Sequence, residues 1–187
     1  MQILEELVTV DRYHEMIAAG VLTPNDPIEL LEGFLVEKTP KSPPHSFHTN
    51  ALADALRRMF PAGWHVRSQE PVTLPTSEPD PDISVVQGSF LDYRDRHAGP
   101  TDIPLVVEVT DTTGHRDRVT KKRIYAGANI PAYWILDVTS RTLEVYSDCD
   151  PDNKDYRTVR VLTAADEAPV EVPGEVSRLL PLAAILQ

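Results

Sequence analysis

The sequence predicts an α/β domain, a central mixed β-sheet flanked by helices. Short apolar runs of strand length, bounded by Pro, Gly and Asp, recur along the chain. Two stretches with helical spacing interrupt them, one after each of two groups of strands, so helices and strands share one layered body. Seventeen prolines against eight glycines point to short, rigid connections. No repeat, low-complexity tract or linker divides the 187 residues, so the expectation is a single domain over 1–187 with a substantial core.

The elements follow in order. "VTVDRYHEMIAAGVL" predicts a short N-terminal helix with Asp11 as cap candidate. "PIELLEGFLVEKTP" reads as a hairpin turning at Glu32-Gly33. "SPPHSFHTNALADALRRMF" is a helix, with Ser46 or Thr49 as cap and Leu52, Ala55, Leu56 and Met59 on one apolar face. "WHVRSQEPVTL" and "PDISVVQG" are strands separated by the acid- and proline-rich "PTSEPDP". "PLVVEVTD" is nearly all apolar, which suits a central strand. "HRDRVTKKRIYAGANI" predicts a helix ended by Gly127 or Asn129. "AYWILDV", "TLEVYSD" and "YRTVRVL" are three more strands, and Trp134 is a core residue. The tail "LLPLAAILQ" reads as a short helix.

Composition excludes several classes. At 41% hydrophobic and 25% charged the chain is an ordinary globular one. No apolar run reaches the roughly 18 residues that a membrane helix needs. The start lacks a basic leader with an apolar segment, so no secretion signal is expected, and the lone Cys149 suits a reducing cytoplasm. Acidic neighbours would raise the pKa of Cys149, which argues against a nucleophile. A net charge of −11 argues against a protein that coats nucleic acid, while leaving room for a local basic groove.

Within "IPLVVEVTD", Glu108 is the anomaly, because an isolated carboxylate buried among valines is very costly. It must be paired, protonated or holding a cation. Asp82, in "EPDPDISVV", stands at the start of the preceding strand, where both acids can face one cleft and share a hard cation such as Mg²⁺. The plainer reading makes Asp82 a turn residue and Glu108 the partner of an arginine. The next helix weighs against it. On a wheel of about 100° per residue, Ile124, Tyr125 and Ala128 form the apolar face, with Lys121 and Asp117 inside it and Lys122 turned to solvent. An Asp117–Lys121 pair four residues apart is the ordinary explanation for that lysine.

Pro81-Asp82 followed by "VVEVT" around Glu108 resembles the PD-(D/E)XK nuclease superfamily. The lysine that most of that superfamily carries two residues after the second acid is absent, since the position is Thr110. The longer pattern, "PLVVEVTD", Asp117, Lys121, Tyr125 and "IPAYWILD", resembles the Uma-type family of restriction endonucleases, in which the second acid is followed by Ser or Thr and the lysine lies on the next helix. "ELLEGFLVEK", "PPHSFHTNALADAL" and "SQEPVTL" extend the resemblance over nearly the whole chain, and Ala132 departs from the "PEYW" form of the motif. The resemblance implies a restriction-endonuclease-like fold and metal-dependent hydrolysis of DNA phosphodiesters. It implies that Asp82, Glu108 and the Val109 carbonyl hold Mg²⁺ or Mn²⁺ and that Lys121 contacts the phosphate or attacking water. Cutting both strands of a duplex is served by two-fold symmetry, so a homodimer is expected.

Secondary candidates are Glu29 and Glu32 as further ligands, His45 on the substrate side, and Gln69 and Glu70 on the same sheet surface. His45 and His48 lack the third ligand that a zinc site needs. Arg57, Arg58, Arg67, Arg116, Arg118 and Lys122 are candidates for a DNA-facing rim, with a solvated surface as the default. Two other functions compete with the endonuclease: a non-catalytic DNA- or protein-binding module that keeps the fold, and a metal-dependent hydrolase of RNA or small phosphate esters.

Overall fold

The computed structural model describes residues 7–23, 25–111 and 114–187. Helix α1 (Val10–Ala18) precedes the hairpin β1 (Ile28–Leu31) and β2 (Phe34–Glu37), then α2 (Pro43–Met59), β3 (Trp64–Ser68), β4 (Ile83–Gln87) and β5 (Leu105–Thr110). A π-helical turn, Asp117–Lys121, runs into α3 (Lys122–Gly127), followed by β6 (Ala132–Asp137), β7 (Thr142–Asp150), β8 (Asp155–Leu162), β9 (Glu167–Val170) and β10 (Arg178–Pro181). Strands β3 to β8 form one six-stranded sheet in chain order, in which β5 and β6 are the parallel neighbours and every other pair is antiparallel. The parallel step needs a crossover, which the segment holding α3 supplies. The α/β expectation of a central mixed sheet flanked by helices is met.

Side-chain alternation sorts the core into two layers. Ile83, Val85, Leu105, Val107 and Val109 face α2, whose Leu52, Ala55 and Leu56 are buried and whose Met59 packs at the margin. Val86, Val106, Tyr133 and Ile135 face α3, with Ile124 and Tyr125. Trp134 is 1% exposed, as a core residue should be. Each such aliphatic side chain stabilises the fold by about 1.5–3 kcal/mol on full burial.

Several boundaries differ from the sequence reading. Thr9, not Asp11, caps α1. Helix α2 begins a turn earlier than Ser46, at Pro43, with Ser42 accepting from His45 N–H; proline fits the first turn, where its missing N–H costs nothing. The segment that leads into α3 is π-helical over Asp117–Lys121: the Lys122 N–H bonds the carbonyl of Asp117, five residues back. Helix α3 then closes on Asn129 at φ 59, with Ile130 N–H on Tyr125 O and Asn129 N–H on Ala126 O. The tail is not helical. Leu180 and Leu182 are buried while Leu179 and Pro181 are exposed, a period of two, and β10 pairs with β9.

The β1–β2 hairpin turns as expected at Glu32 (φ 49) and Gly33 (φ 84). A Cβ on Gly33 would stand 2.7 Å from Leu7 Cβ, so glycine is required there for space as well as conformation. Leu30 and Glu78 exchange backbone hydrogen bonds of 3.4 and 2.7 Å, which fastens the hairpin beside the loop leading to Asp82.

Candidate active site

Ile83 opposite Val107 makes Asp82 and Glu108 cross-strand neighbours on the α3 side of the sheet. The β4–β5 ladder ends there, because the next residue on β4's side is Pro81, which has no N–H to donate. The Val109 N–H is instead taken by Asp82 Oδ2 at 2.9 Å. In a strand the N–H and C=O of one residue leave on the same edge, so the Val109 carbonyl also points to where the ladder has opened. The proline of the Pro-Asp pair thereby frees backbone next to the acid it precedes.

Lys121 and Tyr125, four residues apart, share the helix face against β5. Lys121 Nζ lies 3.0 Å from Glu108 Oε1, and the Tyr125 hydroxyl donates to the same oxygen at 2.7 Å. Lys121 Nζ is also 3.4 Å from Glu29 Oε2, from β1. All three side chains are nearly excluded from solvent, with Glu29 2%, Glu108 3% and Lys121 6% exposed. The expected Asp117–Lys121 ion pair is replaced by these two contacts, because the π-helical turn alters the spacing that an α-helical wheel assumes. Lys122 is not fully solvated either: it pairs with Asp155 at 2.7 Å and lies over the Tyr146 ring.

His45 reaches Asp82 from the first turn of α2, its Nε2 being 3.1 Å from Oδ2. The backbone carbonyl of Ile185 takes His48 Nδ1 at 2.8 Å, so the two histidines diverge and form no zinc half-site. A cleft of about 740 Å³ opens on these groups, lined by Glu29, His45, Asp82, Glu108, Asp117 and Lys121 among others.

Electrostatically the cleft is overloaded with acid. Burial drives the Glu108 pKa well above its usual range; Lys121 opposes this, while Asp117, Asp82 and Glu29 reinforce it. Burial also raises the pKa of Asp117, against the pull of Lys121. Lys121 moves up as well: burial disfavours its charge, but Glu108, Glu29 and Asp117 outweigh that. These directions describe one cluster, in which several carboxylates face a single buried ammonium and Glu108 resists ionisation. His45 likewise is raised, desolvation being overcome by Asp82.

The donor set suits a divalent cation. Hydrogen bonds fall on Asp82 Oδ2 and Glu108 Oε1, so among the described residues Asp82 Oδ1 and Glu108 Oε2 accept none. Those two oxygens and the Val109 carbonyl are hard ligands. No three His, Cys, Asp or Glu side chains among the described residues converge into a cage of their own.

The remaining candidates separate. Glu29 lies in the cleft wall, but Glu32 sits in the hairpin turn and pairs with Arg123 outside it. Gln69 lines the cleft, whereas Glu70 turns away to bind Arg67 at 2.6 Å. The basic residues form no rim: Arg67 is 4% exposed, Arg118 is held by Asp137 and Glu144, and Arg116 alone of the six lines the cleft. Half-buried Cys149 has its pKa raised by burial and the nearby Asp150, as an inert thiol should. Tyr125 is more than core, since its hydroxyl holds Glu108; its place four residues after Lys121 was the available signal.

A family described as "Putative restriction endonuclease", Uma2, matches residues 10–183. The chain belongs to this family. The crystal structure of "a putative nuclease belonging to DUF820" from Anabaena variabilis ATCC 29413 superposes with a TM-score of 0.69. It shares 19% identity and covers 96% of this chain and 99% of its own, so the likeness establishes the fold. No curated protein matches. Among the described residues of this Uma2 member, no helix is long and apolar enough to cross a membrane.

Proposed function

We propose that this Uma2 protein is an endonuclease that hydrolyses DNA phosphodiester bonds with Mg²⁺ or Mn²⁺. The observation that carries the proposal is the pairing of two anchored acids that line the cleft, each with one oxygen that accepts no hydrogen bond among the described residues, with a buried ammonium that touches one of them. Asp82, Glu108 and the Val109 carbonyl would hold the cation. When bound, the cation supplies a water of lowered pKa and charge stabilisation at the phosphate.

The chain's own groups account for the rest. His45 and the Val109 amide fix one Asp82 oxygen and so aim the other. Tyr125 does the same for Glu108. Lys121 places an ammonium where charge develops on the phosphate; the chemistry requires it at a point in space, which a helix serves as well as a strand. The family's description as restriction endonucleases supports DNA as substrate. Two-fold pairing of the chain suits cutting of both strands, and sedimentation equilibrium tests it.

Cleavage of supercoiled plasmid with Mg²⁺ or Mn²⁺ by wild type, Asp82→Asn and Lys121→Ala tests the proposal. Metal-dependent nicking that both variants lose supports it. DNA binding without cleavage under either metal would instead identify a binding module. Turnover of RNA or small phosphate esters alone would move the substrate class.

A further inference from the structure

We propose that Glu29 is the positioning residue that keeps the Lys121 ammonium in place when Glu108 is engaged by the cation. This rests on the nuclease reading above. Lys121 lies between two carboxylates, Glu108 Oε1 at 3.0 Å and Glu29 Oε2 at 3.4 Å. Both acids are nearly buried, so neither is replaced by solvent when the other is withdrawn. Glu108 cannot serve a divalent cation and remain the sole partner of a buried ammonium without the two positive charges competing for it. Glu29, a second carboxylate in reach of the same ammonium, resolves that competition.

Glu29 is itself fixed. Its Oε2 accepts the Asp80 N–H at 3.3 Å, and Oε1 lies 3.8 Å from Arg116 Nη1. The β1–β2 hairpin is fastened by Leu30 and Glu78 on the loop that carries Asp80 towards Asp82. One segment thus sets both the first metal-binding acid and the counter-charge of the lysine. A merely structural Glu29 would have its amide-accepting oxygen as the essential feature. A positioning Glu29 would have its charge.

Two measurements separate these roles. Glu29→Gln keeps the shape and the acceptor, while Glu29→Asp keeps the charge on a shorter arm. The expectation is that Glu29→Asp cleaves DNA faster than Glu29→Gln, with KM for DNA alike; the reverse order, with melting temperatures following it, would assign Glu29 a structural role. Calorimetry with Mg²⁺ or Mn²⁺ alone gives a readout free of turnover. Glu29→Gln should weaken metal binding about tenfold, the size of coupling that neighbouring groups show, because Lys121 then leans on Glu108 alone. The effect should vanish in a Lys121→Met background. An equal weakening in both backgrounds would reduce Glu29 to a distant charge and overturn the inference alone. Wild type that binds neither metal would overturn the inference together with the nuclease reading.

Discussion

Two cations leave the same turn of chain, three residues apart, and each lies between two acids. Arg118 donates to Glu144 at 2.8 Å and Asp137 at 2.7 Å, on strands β7 and β6. Lys121 sits between Glu108 and Glu29. The difference is in what the acids have left. Asp137 also takes the Ser140 N–H, and Glu144 the Tyr146 hydroxyl, so both acids of the Arg118 cluster are satisfied on both oxygens, and none of the three lines the cleft. Around Lys121 the acids are more deeply buried, carry excess negative charge and line the cleft. Ion pairing alone does not mark a functional site; an incompletely satisfied cluster facing a cavity does.

The comparison breaks most visibly at Lys121. Lys121→Met should lower the cleavage rate about a thousandfold, the scale for losing a preorganised charge at a developing anion. Quench-flow single turnover on a labelled duplex measures it, and a rate near wild type would remove Lys121 from the chemistry. His45→Ala comes next. It removes one of the two hydrogen bonds that anchor Asp82 Oδ2 and should weaken Mg²⁺ binding about tenfold to a hundredfold, as loss of an outer-shell partner does. Calorimetry with unchanged affinity would make the His45–Asp82 contact incidental.

Arg118→Ala sharpens the contrast from the other side. Removing charged hydrogen bonds to Asp137 and Glu144 should cost about 1–3 kcal/mol in urea unfolding, while cleavage per folded molecule stays unchanged. A lost rate with unchanged stability would join the two clusters that the structure keeps apart.

What the sequence makes legible here is what strand order and local chemistry determine. Asp82 and Glu108 stand out because an acid in an apolar run and an acid after proline are anomalous one at a time and suggestive together. Lys121 is visible because it interrupts an apolar helical face. The partners are not visible. Glu29 reaches Lys121 through a hairpin docked on a distant loop, and His45 reaches Asp82 from a helix that packs on the opposite sheet face. Nothing in local periodicity encodes either meeting. The π-helical turn escapes for a related reason: a wheel assumes one period, and Lys122 N–H bonding five residues back breaks it. The tail misleads because Leu- and Ala-rich composition suggests a helix, whereas Pro181 and the alternation of Leu180 and Leu182 belong to a strand.

The smallest expected effect tests the excess charge itself. Asp117 makes no hydrogen bond or close ion pair through its side chain among the described residues, and burial raises its pKa, with Asp82 and Glu29 adding to the shift. A carboxyl whose folded pKa exceeds its unfolded one retains a proton that the unfolded chain gives up. Its ionisation therefore costs stability as pH climbs from the ordinary carboxylate value towards the folded one, and the cost persists above that. Asp117→Asn removes this cost, so the metal-free variant should melt above wild type at neutral pH. The gain should shrink as the solution is acidified and disappear where Asp117 is protonated in both states. Mg²⁺ should narrow the gap as well, because a cation among Asp82 and Glu108 offsets the same repulsion. If Asp117→Asn melts lower at neutral pH and the deficit is unaffected by acid, attraction to Lys121 outweighs burial and the cleft is not overcharged.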